Sequence, residues 1–291
     1  MAQKMFRKVI VSGNIVEVYE YEKPVKFDFK KRKKEEEPPV EVEDDMSIHM
    51  DWEDHPNIED IPEEIRHLFS KENRGKEYRK SAMMRARQTL RRLILSNFTE
   101  DSKFVTLTFR DGEAENIKDV RQTNPLFKKF IMRLNYQLKK KGKDPIKYAT
   151  VVEFQDKNGR GAVHYHMICN LDWMPHEELT KIWRHGWVGI NALSGKDRKD
   201  GKRVDNVGAY MIKYMLKDFN DDRLRGQKSY FTSRNLIKPE VYKGMEAEAL
   251  SHIIELDKMK EVFTSEYESE YHGKVQYREY NLKRCTANTA E

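Results

Sequence analysis

The stretch that most constrains the fold runs from residue 148 to residue 171. Tyr148 to Gln155 and Ala162 to Leu171 are β-branched, alternating runs, and Asn158-Gly159-Arg160-Gly161 between them is turn chemistry that sends the second run back antiparallel to the first. A chain built on such a hairpin carries an antiparallel sheet, with one face to bury against another layer.

The flanking elements say what that layer is. Lys103 to Phe109 alternates and is rich in β-branched residues, which predicts a strand. Asn124 to Lys141 places Phe127, Phe130, Ile131, Leu134 and Leu138 at helical spacing. His176 to Arg184 reads as a short helix, Trp187 to Asn191 as a short strand and Asn206 to Phe219 as a helix. The order strand, helix, hairpin, helix, strand, helix predicts an α+β fold, a mostly antiparallel sheet flanked by helices.

Outside this core, residues 7 to 22 give two β-branched runs around Ser12-Gly13-Asn14, a hairpin signal. The expected organisation is an N-terminal hairpin and basic cluster over 1–34, an acidic linker over 35–61, a basic helical segment over 62–100, the central domain over 101–237, and a C-terminal helix and hairpin over 238–291. Within the helical segment, Met83, Met84, Leu90, Leu93 and Ile94 are the expected buried face. The hairpin of the last segment is expected between Met259 and Leu282.

Charge is distributed unevenly along the 291 residues. Residues 35 to 64 hold 14 acidic residues and no Lys or Arg, so a chain of net +6 carries +20 on the remainder. Such a surplus favours a polyanionic partner, because each cation that neutralises a phosphate releases a condensed counterion. Arg79, Lys80, Arg85, Arg87, Arg91 and Arg92 on the expected helix are candidate phosphate contacts. The acidic segment, flanking Pro38-Pro39, reads as a spacer that could also imitate DNA and cover a basic groove. The two cysteines, Cys169 and Cys285, form neither a disulfide framework nor a zinc-ligand spacing, which fits a reducing cytoplasm. No signal-like start and no apolar run of membrane-spanning length is read, so neither export nor insertion is expected.

Two groups of residues carry chemistry. His164-Tyr165-His166 lies in the second strand of the central hairpin, so both imidazoles point to one face with Cα atoms roughly 7 Å apart. Glu153 on the neighbouring strand is the candidate third ligand. Two imidazoles and a carboxylate with open positions suit Mn²⁺ or Mg²⁺ and leave room for a phosphate oxygen. On the last helix of the core, Tyr210, Lys213, Tyr214 and Lys217 fall on one stripe at about 100° per residue. Ala209, Met211, Ile212, Met215, Leu216 and Phe219 share the other face. A phenol beside a cation is suited to nucleophilic attack on a phosphodiester.

Taken in order, Phe104-Val105-Thr106-Leu107-Thr108-Phe109, His164-Tyr165-His166 and Tyr210-Met211-Ile212-Lys213-Tyr214 resemble the motifs of the HUH endonucleases, specifically the rolling-circle replication initiators of phages and plasmids. The resemblance covers roughly residues 100 to 240 and includes the segment Gly226 to Leu236. It implies a ferredoxin/RRM-like central antiparallel sheet flanked by helices, with His164, His166 and Glu153 holding the divalent cation. It implies Tyr210 as nucleophile, Lys213 as the lysine of a Y-x-x-K pattern, and Tyr214 as a second tyrosine. Both the one-tyrosine and two-tyrosine patterns are satisfied, so the number of reacting tyrosines stays open. The implied reaction nicks a single-stranded DNA origin, leaving a 5′-phosphotyrosine and a 3′-OH for a host polymerase. No G-x-x-x-x-G-K-[ST] is present, so a host helicase is the expected partner. A relaxase or transposase on the same scaffold, and a non-catalytic nucleic-acid-binding module, are the alternative readings.

Overall fold

The computed structural model describes residues 6–23, 71–112, 117–156, 159–193, 207–208, 211–212, 221–224, 227–228, 230–269 and 271–285, with the backbone alone described at 71–81, 222 and 285. The basic cluster at 30–34, the acidic segment at 35–61 and the stretch 62–70 lie outside the described residues. The chain divides into two compact units, Met1–Val25 with Leu90–Glu291, and Lys26–Thr89.

The fold is α+β, with ten strands in two five-stranded antiparallel sheets among the described residues. One sheet, ordered β6-β3-β5-β4-β7, is built from β3 (Lys103–Leu107), β4 (Tyr148–Gln155), β5 (Ala162–Cys169), β6 (Val188–Ala192) and β7 (Tyr230–Thr232). Its centre is the expected hairpin, in which β4 and β5 pair from Tyr148↔Cys169 to Gln155↔Ala162. Gly159 and Gly161 in the connecting turn have φ of 70° and 61°, conformations that a side chain resists.

Alternation divides this sheet into two faces. Val105, Leu107, Val152, Phe154, Val163, Tyr165, Met167 and Cys169 share one buried cluster with Phe127, Phe130, Leu134 and Leu138 of α2 (Val120–Lys140). Leu179, Ile182 and Trp183 of α3 (His176–Trp183) complete the cluster. The polar tips inside it are paired. The Tyr165 hydroxyl bonds Asn124 Oδ1 at 2.7 Å and Thr123 Oγ1 at 3.1 Å, and Trp183 Nε1 donates to the Thr108 carbonyl at 2.8 Å. His164 and His166 fall on the opposite face.

α2 begins four residues before the expected Asn124. The Asp119 side chain accepts from the Arg121 N–H and caps the helix there, so Pro125 sits inside the helix instead of opening it. α3 ends at Trp183, where Arg184 takes a left-handed conformation with φ 73°.

The second sheet, ordered β8-β1-β2-β10-β9, joins the two ends of the chain. β1 (Phe6–Ser12) and β2 (Ile15–Tyr21) form the expected hairpin, and β9 (Glu261–Ser269) and β10 (Gly273–Asn281) form the expected C-terminal one. β2 then pairs with β10, and β8 (Glu240–Lys243) with β1. The N-terminal and C-terminal segments, expected as separate pieces, therefore make one sheet. One face packs Val9, Val16, Val18 and Tyr280 with Ala247 and Leu250 of α4 (Met245–Ile253). The short α5 (Leu282–Cys285) follows β10.

The other face carries Ile10, Glu17, Tyr19, Tyr21, Val275, Tyr277 and Glu279, following the register. The end of α1 (Lys71–Asn97) meets it. Arg92 lies 2.8 Å from Glu17 and 2.8 Å from the Tyr19 hydroxyl, and Arg91 lies 2.7 Å from Glu279. The turn at Gly13 (φ 59°) comes so close that a Cβ there would stand 2.3 Å from the Leu95 carbonyl oxygen. On α1, Leu90 and Ile94 are buried as expected and Met83 and Leu93 are half-buried, but Met84 is exposed.

Candidate functional site

β5 is the middle strand of its sheet, so residues on it are held by neighbours on both sides. Across the sheet, Gly189, Thr106, His166 and Val151 form one row, and Glu153 is the register partner of His164. Alternation puts His164, His166, Thr106 and Glu153 on the same face.

His166 is held from three directions. Thr106 Oγ1 lies 3.2 Å from its Nδ1, the Glu153 carboxylate contacts its Nε2, and the Phe104 ring stacks on it at 5.6 Å between centroids. The side chain is 8% exposed and that of Glu153 13%. A carboxylate at one ring nitrogen and a hydroxyl at the other fix both the orientation and the tautomer of an imidazole. The His164 ring stands 6.4 Å from that of His166, tilted by 63°.

The structure thus brings Glu153 and His166 into contact and holds His164 on the same face. Among the described residues, no group of three or more His, Cys, Asp and Glu side chains is closed into metal-holding geometry. The donor chemistry still suits a hard divalent ion, because the carboxylate and the imidazole nitrogens are the ligand atoms such ions take. Other histidines serve the fold: His176 Nε2 lies 2.7 Å from the Val188 carbonyl oxygen, and His185 packs on Trp183.

The helix expected from Asn206 to Phe219 is helical at 207, 208, 211 and 212, and Tyr210, Lys213, Tyr214 and Lys217 lie outside the described residues. The apolar half of its pattern holds where it is described, since Met211 and Ile212 are buried together with Val207. Gly208 faces α1 so closely that a Cβ would stand 2.9 Å from the Leu95 side chain and 3.1 Å from that of Arg91.

The basic helix is used differently from the expectation in part. The Arg79 and Lys80 side chains lie outside the described residues, and Arg85 and Arg87 are half-buried. Arg91 and Arg92, expected to meet phosphates, turn their guanidiniums to the carboxylates of the N- and C-terminal sheet. Arg92 is 5% exposed, and a cation so enclosed and paired is a structural tie.

One exposed aromatic on the histidine face escaped the sequence reading. Trp187 is 61% exposed, and its indole lies over Gly189, where a Cβ would stand 2.4 Å from the ring. Because Gly189 pairs with Thr106, which pairs with His166, the indole is on the histidine side, with its ring position fixed by a missing side chain. The only sequence signal is the Trp-Val-Gly order at the head of β6.

Residues 102–219 match the model of a family described as Replication-associated protein, of the ORF2 type, a segment that runs from the head of β3 through the helical residues at 207–212. No curated protein and no solved structure matches the chain. Among the described residues, no helix is long and apolar enough to cross a membrane.

Proposed function

We propose that the protein initiates rolling-circle replication by nicking a single-stranded DNA origin with a tyrosine, as an HUH-type endonuclease. The observation that carries this reading is the Glu153–His166 contact on the face shared with His164, inside the segment similar to replication-associated proteins. The net charge and the fixed, exposed indole of Trp187 support it, since single-stranded DNA is bound through phosphates and stacked bases.

In this reading His164, His166 and Glu153 hold Mn²⁺ or Mg²⁺, which would supply Lewis-acid polarisation of the scissile phosphate. Thr106 and Phe104 keep the His166 ring from turning away. The phenol oxygen of Tyr210 attacks phosphorus and gives up its proton, the P–O3′ bond breaks, and the 3′-oxygen leaves as a hydroxyl after protonation. Lys213 favours the ionised phenol. The new ester keeps the phosphate at the 5′ end, so a second transesterification by a 3′-OH, or a step beginning from Tyr214, rejoins the strand. A host polymerase extends the 3′-OH and a host helicase opens the duplex, both acting in the host cytoplasm.

The test is incubation of a single-stranded origin oligonucleotide with the protein and Mn²⁺, followed by denaturing electrophoresis. A covalent adduct is expected that is lost with EDTA, with His164→Ala, and with the paired changes Tyr210→Phe and Tyr214→Phe. An adduct that persists in the double variant assigns the nucleophile elsewhere.

A further inference from the structure

A cleft of about 300 Å³ opens on the helix side of the central sheet, lined by Arg121, Asn124, Pro125 and Lys128 of α2 and by Gln227, Lys228 and Phe231. The side is fixed by register. Phe231 pairs with Thr150, packs on the helix-side cluster and stands 6.0 Å from the Phe127 ring, centre to centre. The histidines are on the other face, so this cleft is separate from the nicking site.

Its lining is basic without acid. Arg121, Lys128 and Lys228 are exposed, and among the described residues none of them is drawn into an ion pair. This sets them apart from Arg91, Arg92 and Arg223, whose guanidiniums are tied to Glu279, Glu17, Asp156 and Asp221. Cations without carboxylates beside a cleft draw anions. Arg121 and Lys128 are seven residues apart, roughly 10 Å along the axis at 1.5 Å per residue, a spacing that meets successive phosphates more readily than one. Phe231 and Pro125 add apolar surface for a base or sugar.

We propose that this cleft binds the backbone of single-stranded DNA flanking the nicked nucleotides, holding the strand on the face opposite the histidines. β7 is the outermost strand and only three residues long, so a strand leaving the histidine face reaches the cleft around that edge. The proposal rests on the protein acting on single-stranded DNA, and its test separates binding from nicking.

Binding is measured in EDTA by fluorescence anisotropy, with oligonucleotides of roughly 8 and roughly 30 residues chosen to fill one site or extend beyond it. The full chain is compared with Arg121→Gln/Lys128→Gln/Lys228→Gln and with a control triple, Lys129→Gln/Lys139→Gln/Lys140→Gln, which removes the same charge from other exposed positions of α2. The cleft variant is expected to bind the long oligonucleotide at least about tenfold more weakly. The slope of log K against log salt should fall by about 2, at roughly 0.7 per phosphate contact on single strands. Its binding of the short oligonucleotide should match that of the parent. Equal losses at both lengths, a control triple that loses as much, or an unchanged slope would each overturn the proposal. Adduct formation on the short origin oligonucleotide is read in parallel: if the parent makes none, the nicking reading fails while the length dependence still decides the cleft. Millimolar inorganic phosphate that displaces the long oligonucleotide from the parent only as far as its ionic strength predicts supports a polymeric ligand. Complete displacement marks a site for free phosphate and overturns the proposal.

Discussion

The Glu153 carboxylate contacts His166 Nε2 although the register sets Glu153 opposite His164, so the carboxylate leans diagonally across the hairpin. That diagonal keeps the acid between the two imidazoles, where one small shift serves either ring. If the three residues form a cation site, Mn²⁺ affinity measured by calorimetry should fall at least about tenfold for Glu153→Gln, His164→Ala and His166→Ala. A loss of the size seen for outer ligands, about 10- to 100-fold at most, is expected for Thr106→Val, which touches only Nδ1. Mn²⁺ binding unchanged by His166→Ala would rule out this site.

Trp187 should contribute to binding of single-stranded DNA and much less to duplex binding. Stacking on an aromatic is worth about 1–3 kcal/mol per base, so Trp187→Ala should weaken oligonucleotide binding roughly 5- to 150-fold, and Trp187→Phe should restore most of it. Gly189→Ala gives an independent check. Its new methyl would stand 2.4 Å from the indole, pushing the ring off its seat and reproducing part of the loss without removing the aromatic. Intrinsic fluorescence that does not respond to oligonucleotide, with four tryptophans resolved by substitution, would count against the stacking role.

The central hairpin was legible because a strand has a period of two, and that period alone places His164 and His166 together and Tyr165 with the core. The pairing of β2 with β10 was not, since Glu20 and Gln276 become neighbours through no local pattern. Arg92 shows the same blindness at the level of charge. A basic helix reads as a solvated or phosphate-facing surface until the partner carboxylate, Glu17, arrives from a strand 75 residues away. Asp119 was a legible cap, but Pro125 offered a competing helix start, and local chemistry alone could not rank them.

The tie between Arg92 and Glu17 predicts stability and not DNA affinity. Their side chains are 6% and 3% exposed, and Tyr19 and Tyr277 complete the network around the carboxylate. Removing one partner leaves the other charge enclosed, so Glu17→Ala or Arg92→Ala should lower unfolding free energy by about 3–5 kcal/mol in urea titration. Changing both together, Arg92→Met with Glu17→Leu, should recover much of that loss. The salt dependence of DNA binding by the double variant should equal that of the parent. A shallower slope would show that Arg92 reaches phosphate after all.

Alkaline pH should destabilise the fold through Cys169. Its side chain lies at the centre of β5 with no exposure, and burial pushes the thiol up to about 12 from the ordinary value of 9.0. The raised group keeps its proton in the native state while the unfolded chain loses it. Stability is therefore complete below pH 9, and falls as pH rises from there toward 12, by up to about 1.4 kcal/mol per pH unit. Tyr165, also raised by burial, adds to the decline at higher pH in the same direction. Urea titrations at several pH values should show Cys169→Ala with a flatter profile between pH 9 and 10, below the range where tyrosines ionise in the unfolded chain. In the native parent, peptide mapping should find Cys169 unmodified by a thiol reagent at pH 8 and modified after unfolding. Rapid native labelling at Cys169 would show that β5 opens, and the stability of the histidine face would then need another source.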